Sequence, residues 1–133
     1  MVTIKLRRVY EKPNIIDGER ILVDKFWPRG IRRSSAAIDT WFKKVGPSDE
    51  LRKWFSHDPR RWDSFVKKYK KELDRNIAVE KLMEHIINSD VVTFVYSTSD
   101  KQHNNAVILA EVLRSRIHLL RKMIGNKKIE IID

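Results

Sequence analysis

Two kinds of apolar pattern alternate along this chain. Short apolar runs at residues 3–9, 20–25 and 91–96 predict β-strands. The last run is almost continuously apolar and β-branched, which is typical of a strand buried on both faces. Residues 41–45 alternate weakly and predict an edge strand. A terminal strand is predicted by Ile129, Ile131 and Ile132.

Between these runs, apolar residues recur at helical spacing and capping residues mark the helix starts. Ser48 is a good N-cap for a helix that ends near Ser56. Asp58 caps the next helix, with Pro59 at its first position. The buried stripe of that second helix is predicted to be Trp62, Phe65, Val66, Tyr69 and Leu73.

Further helical patterns complete an α/β arrangement. Residues 34–39 and 82–87 predict short helices, residues 105–124 predict a long one, and residues 13–18 predict a loop or a short turn. Because strands alternate with helices, we predict a single α/β domain over residues 1–133, with a mostly parallel central sheet flanked by helices. The pattern leaves the strand order open.

The composition narrows the classes of protein to consider. A chain of 133 residues, 41% hydrophobic and 35% charged, fits one globular domain with its own core. It contains no cysteine, which excludes disulfides, thiolate catalysis and cysteine-based metal sites. The N-terminus lacks the apolar segment of a signal peptide, and no apolar run has membrane-spanning length. We therefore expect a cytoplasmic protein without a membrane partner.

The formal net charge of +10 favours anionic partners, namely nucleic acid, nucleotides or phosphorylated metabolites. The basic residues cluster on predicted helices, at Lys67, Lys68, Lys70 and Lys71 and again at Arg114, Arg116, Arg121 and Lys122, with Lys127 and Lys128 following. Such runs are usually solvated helix faces. Without interleaved exposed aromatic residues or a recognisable motif, they are weak evidence for nucleic-acid binding.

A candidate binding loop follows the second predicted strand. Asp24 stands at the carboxyl end of that strand, where open α/β sheets bind their ligands. Trp27 offers a flat apolar wall, and the guanidinium groups of Arg29 and Arg32 suit a phosphate or carboxylate. The alternative is structural: Asp24 pairs with Arg29, and Trp27 fills the core.

A second candidate segment, residues 97–104, joins the most apolar strand to the longest helix. The N–H groups and dipole of a helix start attract anions, and the Ser97 hydroxyl is a further donor. Asp100 and His103 are three residues apart and can form an acid–base pair. In the alternative interpretation, Asp100 caps a turn, His103 faces solvent and Asn104 caps the helix.

A third candidate is His57, which lies between two predicted helices. Histidine is the commonest general base in enzymes, but the residue equally suits the end of a helix, with Asp58 as an N-cap. His85 and His118 are predicted on helix surfaces, and the histidine spacing indicates no metal site. No glycine-rich phosphate loop is present, so no cofactor is predicted.

If the sheet is parallel, the loops after the second strand and after residue 96 open on the same edge. We therefore predict one pocket surrounded by Asp24, Arg29, Arg32, His57, Ser97, Asp100, His103 and Asn104. In this pocket Arg29 binds the charge and Asp24 orients Arg29 or accepts from a ligand hydroxyl. The candidate catalytic residues are His103, Asp100 and His57, with His103 as the proton carrier.

Three segments also carry a resemblance to a known family. They are Val23-Asp24 followed by Trp27-Pro28-Arg29-Gly30, Leu51-Arg52-Lys53-Trp54-Phe55 with His57-Asp58-Pro59 and Trp62, and residues 96–104 ending in His103-Asn104. With these motifs the chain resembles the YeaO-like family, a branch of a larger bacterial and archaeal domain family of unknown function. The resemblance implies a small single-domain α/β fold in the cytoplasm and no established reaction.

The resemblance also implies a departure from the wider domain family. Its members often carry a Cys-His-Arg triplet at the start of the last helix, where this chain has Asn104, Asn105 and Ala106. Thiol or histidine chemistry based on that triplet therefore does not carry over.

The leading interpretation is a protein that binds a small anionic ligand, a nucleotide or phosphorylated compound, in a crevice at the carboxyl ends of parallel strands. Acid–base chemistry on that ligand is compatible with the residues, and the sequence does not decide whether the protein is an enzyme. The alternatives are a basic nucleic-acid-binding module and a non-catalytic protein-interaction domain.

Overall fold

The computed structural model describes residues 1–125. In this part of the chain the strands are β1 (Thr3–Arg8), β2 (Glu19–Leu22), β3 (Thr40–Trp41) and β4 (Val91–Tyr96). The helices are α1 (Asp49–Phe55), α2 (Trp62–Asp74), α3 (Ile77–Ile86) and α4 (Asn105–Gly125), and short 3₁₀ turns cover Ile15–Asp17, Lys43–Val45 and Pro59–Arg61. The predicted terminal strand, together with Lys127 and Lys128, lies outside the described residues.

The strands form a parallel sheet in the order β1-β4-β2-β3. β4 pairs on both sides, so that Leu6 of β1 and Ile21 of β2 both lie opposite Phe94. This central position explains why β4 is so apolar, because a strand with two neighbours and two covered faces exposes little to water. The predicted α/β fold with a parallel sheet is confirmed.

The two faces of the sheet are covered differently. Ile21 and Phe94 belong to the large core that the four helices share with one face. Their neighbours Leu22 and Val95 point to the opposite face, as successive strand residues do. That second face is covered by a loop, through Trp27, Ile31, Ile38 and Trp41. The loop after β2 is therefore anchored to the sheet by its own apolar residues.

The segment between β2 and β3 differs from the prediction. Residues 34–39 form no helix, and one tight turn precedes an extended stretch. The Arg20 guanidinium donates to the carbonyl of Ala37 (2.5 Å), and the N–H of Asp39 donates to the carbonyl of Arg20 (2.8 Å). These groups are therefore bonded to β2 and are not available for a helical ladder.

β2 and β3 are also shorter than predicted. β2 ends at Leu22, although the N–H of Val23 still donates to Val95 (3.2 Å). β3 has two residues, after which Lys43–Val45 form a 3₁₀ turn. Its predicted place at the edge of the sheet is confirmed.

The cap predicted at Ser48 is confirmed, whereas Asp58 caps the 3₁₀ turn Pro59–Arg61 that leads into α2, so α2 itself begins three residues later than predicted. The Ser48 hydroxyl accepts from the N–H of Leu51 (3.2 Å), and the Asp58 carboxylate accepts from the N–H of Arg60 (3.0 Å). α3 begins earlier than its apolar pattern predicted, because Asn76 provides a cap. None of the helices within residues 1–125 combines the length and apolarity that a bilayer crossing requires.

A buried ion pair fixes the start of β2. The Arg20 guanidinium lies 2.6 Å from the carboxylate of Asp17, and these side chains are 6% and 1% exposed. Arg7 of β1 approaches the other carboxylate oxygen at 3.0 Å, and the Thr93 hydroxyl of β4 donates to the Asp17 carbonyl (2.7 Å). The turn before β2 is thereby tied to both β1 and β4.

Candidate functional site

A cleft of about 630 Å³ opens at the carboxyl edge of the sheet. The loops after β2 and β4, the start of α4 and the turn between α1 and α2 meet there, because parallel strands end on one edge. Nine of its polar or charged lining residues come from these segments: Asp24, Lys25, Arg29, His57, Ser97, Thr98, His103, Asn104 and Asn105. Further lining comes from the aromatic residues Tyr10, Phe26, Trp27, Phe55 and Phe65.

Asp24 lies in the wall of the cleft and is held by the neighbouring loop. One carboxylate oxygen accepts from both the N–H and the hydroxyl of Ser97, each at 2.9 Å. The Trp41 indole donates to the Asp24 carbonyl (2.8 Å), which fixes the backbone as well. Burial raises the pKa of the Asp24 carboxyl and outweighs the opposite effect of the Ser97 hydrogen bonds. The alternative pairing of Asp24 with Arg29 is not formed, so this expectation was wrong.

Arg29 stands exposed at the rim of the cleft. Its carbonyl accepts from the Tyr10 hydroxyl at 2.8 Å, which fixes the backbone of the loop. Among residues 1–125 no carboxylate forms an ion pair with its guanidinium. The planar fork of Arg29 therefore keeps its hydrogen-bonding capacity for an external anion.

Two further cations of the cleft share one carboxylate. Asp49 lies 2.8 Å from the Lys25 ammonium and 3.7 Å from the Arg52 guanidinium. Its hydrogen bond from Lys25 lowers the pKa of the Asp49 carboxyl. Arg52 also lies 4.9 Å from the centroid of the Phe26 ring. Together these three charged groups leave one net positive charge beside the aromatic wall.

His103 is oriented by Asp100. Its Nδ1 lies 3.0 Å from an Asp100 carboxylate oxygen, and its ring meets Trp62 edge-on at 5.0 Å between centroids. The other Asp100 oxygen accepts from the N–H groups of Gln102 and His103 (3.0 and 2.9 Å), which lowers the pKa of the Asp100 carboxyl. Asp100 thus caps the turn, as the alternative interpretation predicted, and also contacts His103, while the acid–base role of the pair stays a prediction.

Asn104 begins α4 and lines the cleft at the same time. Its side-chain oxygen accepts from the N–H of Val107 (3.1 Å), and its amide donates to the carbonyl of Asp100 (2.9 Å). The alternative reading of Asn104 as a helix cap is therefore confirmed. Because both ends of the side chain are used within the fold, Asn104 positions the loop after β4.

His57 reaches the cleft from the turn between α1 and α2. Ser56 and His57 both adopt left-handed backbone angles, with φ of 47° and 54°. Such angles are uncommon in residues other than glycine. The His57 ring lies 6.2 Å from Phe55 between centroids and is exposed. The turn therefore holds an exposed imidazole at the cleft wall, while Asp58 caps the following turn as predicted.

Two residues of the predicted pocket lie elsewhere. Arg32 lines a neighbouring depression of about 510 Å³, because the loop turns away after Gly30. Asp100 contacts His103 and does not line the cleft itself. The expectation that all eight polar residues surround one cavity was therefore wrong for these two.

Trp27 combines the two interpretations that the sequence left open. It is half-buried, and its indole donates to the carbonyl of Ile31 (2.7 Å). Its ring meets Trp41 edge-on at 5.5 Å between centroids, while another part of the residue lines the cleft. Trp27 therefore packs in the core that covers the second sheet face and also lines the cleft.

Several cleft residues escaped the sequence analysis. They are Tyr10, Lys25, Phe26, Pro28, Pro47, Arg52, Phe55, Phe65, Thr98 and Asn105. Phe26 lies next to Trp27, which was predicted to bind the ligand. Its aromatic side chain in the same loop would have predicted a place in the cleft. Tyr10 lies in a different part of the sequence and gave no local signal.

Three of the four arginine and lysine residues of α4 are bonded within the fold. Arg114 donates to the carbonyl of Ile4 in β1, Arg116 pairs with Asp74 (3.1 Å), and Arg121 donates to a carbonyl at the end of α3 (2.9 Å). These side chains fasten the helix to the rest of the fold. Over residues 1–125, no group of three or more histidine or acidic residues is arranged to hold a metal.

Comparison with known proteins identifies the family of this chain. A family model described as the inactive DUF488-N3 subclade matches residues 3–127. The chain belongs to this family. An uncharacterised protein of Mycobacterium tuberculosis is 39% identical over 113 residues, which cover 85% of this chain and 95% of that protein. The uncharacterised protein YeaO of Escherichia coli is 38% identical over 114 residues, 86% of this chain and 99% of YeaO.

These relatives confirm the resemblance to the YeaO-like family, which is a family of unknown function. No solved structure shows significant similarity to the chain. A ligand must therefore be inferred from the cleft itself.

Proposed function

We propose that the protein binds a nucleotide-like ligand, meaning an anionic group joined to a planar ring, in the cleft. The observation that carries this proposal is an exposed Arg29, without a carboxylate partner in residues 1–125, beside a wall of aromatic rings. A guanidinium suits a phosphate because its planar fork donates parallel hydrogen bonds. An aromatic wall suits a flat ring, so the combination favours a nucleotide over an inorganic anion.

Other groups of the cleft support the same ligand. The amino end of α4 provides a positive dipole next to Asn105. The buried carboxyl of Asp24 is an acceptor that suits a sugar hydroxyl or a ring N–H. A volume of about 630 Å³ lies within the usual range for small-ligand pockets, about 300–1,000 Å³.

We favour binding without turnover, in the cytoplasm. The family model is described as an inactive subclade. Asn104, Asn105 and Ala106 stand where the wider domain family often has Cys-His-Arg, which removes a thiol and an imidazole from this place. A reducing compartment fits a chain without cysteine.

Acid–base chemistry on the bound ligand is a second candidate function, and the Asp100–His103 pair favours it. A carboxylate on Nδ1 leaves Nε2 of the His103 ring to exchange a proton with a ligand. His57 is a further imidazole at the cleft wall. The two candidates separate in one assay: His103→Gln abolishes product formation if the protein is an enzyme, while a binding protein forms no product with or without His103.

Arg29→Ala tests the proposal directly. Loss of a charge-assisted contact to phosphate weakens binding by about 1.5–3 kcal/mol, or roughly tenfold to 100-fold in Kd. The measurement is calorimetric titration with the four ribonucleoside monophosphates, with inorganic phosphate as the comparison for the ring. Because Arg29 is exposed, the variant is expected to unfold at the same denaturant concentration as wild type.

Arg75→Ala is the matched control, since Arg75 is exposed after α2 and lines neither depression. It removes the same formal charge and leaves the nucleotide affinity unchanged. Equal losses in both variants would mean that binding follows only net charge. No nucleotide binding to the wild type at millimolar concentration would refute the proposed function.

A further inference from the structure

The two most exposed aromatic side chains of the protein both border the cleft. Tyr10 is 45% exposed and Phe26 is 54% exposed, and all other aromatic residues are buried or half-buried. Each has a cation near its ring: Arg8 lies 4.8 Å from the Tyr10 centroid, and Arg52 lies 4.9 Å from the Phe26 centroid. Exposed aromatic rings interleaved with cations are the surface that single-stranded nucleic acids use for stacking and phosphate binding.

The cleft shares a lining residue with the neighbouring depression, the second cavity, which Arg32 lines. Tyr10 lines both cavities, and its hydroxyl bridges to the carbonyl of Arg29, forming a low ridge between them. The second cavity holds about 510 Å³, so each side of the ridge has room for one nucleotide unit. We call the two cavities, with Tyr10 between them, the groove.

The charge of this second cavity is also positive. Lys12 and Arg32 are exposed there and pair with no carboxylate in the described part of the chain. Its single acid, Glu11, is neutralised by Arg7 at 3.7 Å and Lys101 at 3.4 Å. Positive charge therefore runs along the groove on both sides of Tyr10.

We propose that the nucleotide bound in the cleft is one unit of a single-stranded nucleic acid, whose chain crosses the Tyr10 ridge into the second cavity. This inference rests on the proposed function and names the source of the nucleotide. Arg29 holds the phosphate at the ridge, Lys12 and Arg32 hold the following phosphates, and the rings of Tyr10 and Phe26 stack with bases.

A single strand fits the groove better than a duplex or an acidic peptide. The bases of a duplex are stacked on each other and cannot reach an aromatic cleft wall unless they are flipped out. An acidic peptide would satisfy the cations, but it supplies no regular flat ring for Tyr10 and Phe26. A single strand presents a phosphate and a base in every unit, which matches the alternation of cations and rings along the groove.

The experiment is fluorescence anisotropy with labelled mixed-sequence oligonucleotides of increasing length, in DNA and RNA, competed by mononucleotides. We expect a tetranucleotide to bind about tenfold to 100-fold more tightly than a mononucleotide, because a second base gains a stacking platform. Three phosphate contacts give a slope of about −2 for log affinity against log salt concentration with a single strand.

Variants assign the strand to the groove. Tyr10→Ala and Arg32→Ala lower the tetranucleotide affinity at least tenfold more than they lower the mononucleotide affinity. Tyr10→Phe keeps the ring and stays within about threefold of wild type, as sequence-tolerant stacking requires. Phe26→Ala is the second stacking variant, and it is read together with a denaturation curve that shows the fold is intact.

The triple variant of Lys67, Lys68 and Lys71 to Gln is the control, since these lysines lie on α2 and line neither cavity. It is expected to keep the tetranucleotide affinity. Loss of binding in this variant, or equal affinity for a stable hairpin duplex and a single strand of the same nucleotide composition, would overturn the inference.

The outcomes also separate this inference from the proposed function. If mononucleotides bind and longer strands bind no more tightly, the groove is wrong and the nucleotide cleft stands. If neither binds, both proposals fail.

Discussion

Arg20→Ala is expected to lower the free energy of unfolding by about 3–5 kcal/mol, the usual cost of removing one partner from a buried ion pair. Arg20 neutralises Asp17 at 2.6 Å where both side chains are nearly inaccessible to water. Its guanidinium also donates a hydrogen bond to the carbonyl of Ala37. The variant leaves a buried carboxylate with only Arg7 beside it and frees the loop that covers the second sheet face.

Urea denaturation followed by tryptophan fluorescence measures this effect. Arg7→Ala is the matched control, because it removes the more exposed partner of the same carboxylate, 29% accessible, and is expected to cost about 1 kcal/mol. Asp17→Asn combined with Arg20→Met should recover part of the loss, since no unpaired charge stays buried. A loss below about 1 kcal/mol in Arg20→Ala would show that the pair does not hold the fold together.

Asp24→Asn is expected to weaken nucleotide binding by about 100-fold while making the protein more stable at neutral pH. The amide oxygen can still accept from Ser97, so the loop contact persists. In the variant, the amide nitrogen is a hydrogen-bond donor at the position where the wild type has a carboxylate oxygen that accepts. A ligand donor that meets this nitrogen loses its partner, which explains the large effect on binding.

The stability effect follows from the raised pKa of Asp24. The folded protein holds this proton more tightly than the unfolded chain, in which the pKa is near its ordinary value of 3.8. The wild type therefore loses stability as pH rises from that value through the raised pKa of the folded state, and the loss is complete above it. Asp24→Asn lacks this loss, so its advantage is largest at neutral pH and shrinks as the solution is acidified.

Thermal unfolding at a series of pH values, with calorimetric titration of the ligand, tests both parts. Asp49→Asn is the contrasting control, since the pKa of that exposed carboxyl is lowered. The stability that the ionised Asp49 carboxylate contributes is present above pH 3.8 and disappears as pH falls through the lowered pKa. Asp49→Asn lacks this contribution, so the stability differences between wild type and the two variants change with pH in opposite directions. If Asp24→Asn bound nucleotide as well as wild type, Asp24 would have no part in recognition.

The sequence determined the features that depend on local order. The apolar runs of β1 and β4, the helical stripe of α2 and the caps at Ser48 and Asp58 were all predictable, because the burial period and the capping chemistry lie within a few residues. The alternation of strands and helices predicted a parallel sheet, and this places the loops after β2 and β4 on one edge. Part of the cleft lining was therefore found from the sequence, namely Asp24, Trp27, Arg29, His57, Ser97, His103 and Asn104.

Which distant segments meet depends on long-range contacts that are seen only in the folded protein. The strand order sets β4 between β1 and β2, where both edges of its backbone are paired and both faces of its side chains are covered. Bonds to Arg20 hold residues 37–39 against β2, and residues 34–39 form no helix despite their helical pattern. The turn after Gly30 carries Arg32 out of the cleft, while the hydroxyl of Tyr10 reaches Arg29 from another part of the chain. Such contacts join residues far apart in sequence, and their energies come from burial and pairing in three dimensions, which no local pattern records.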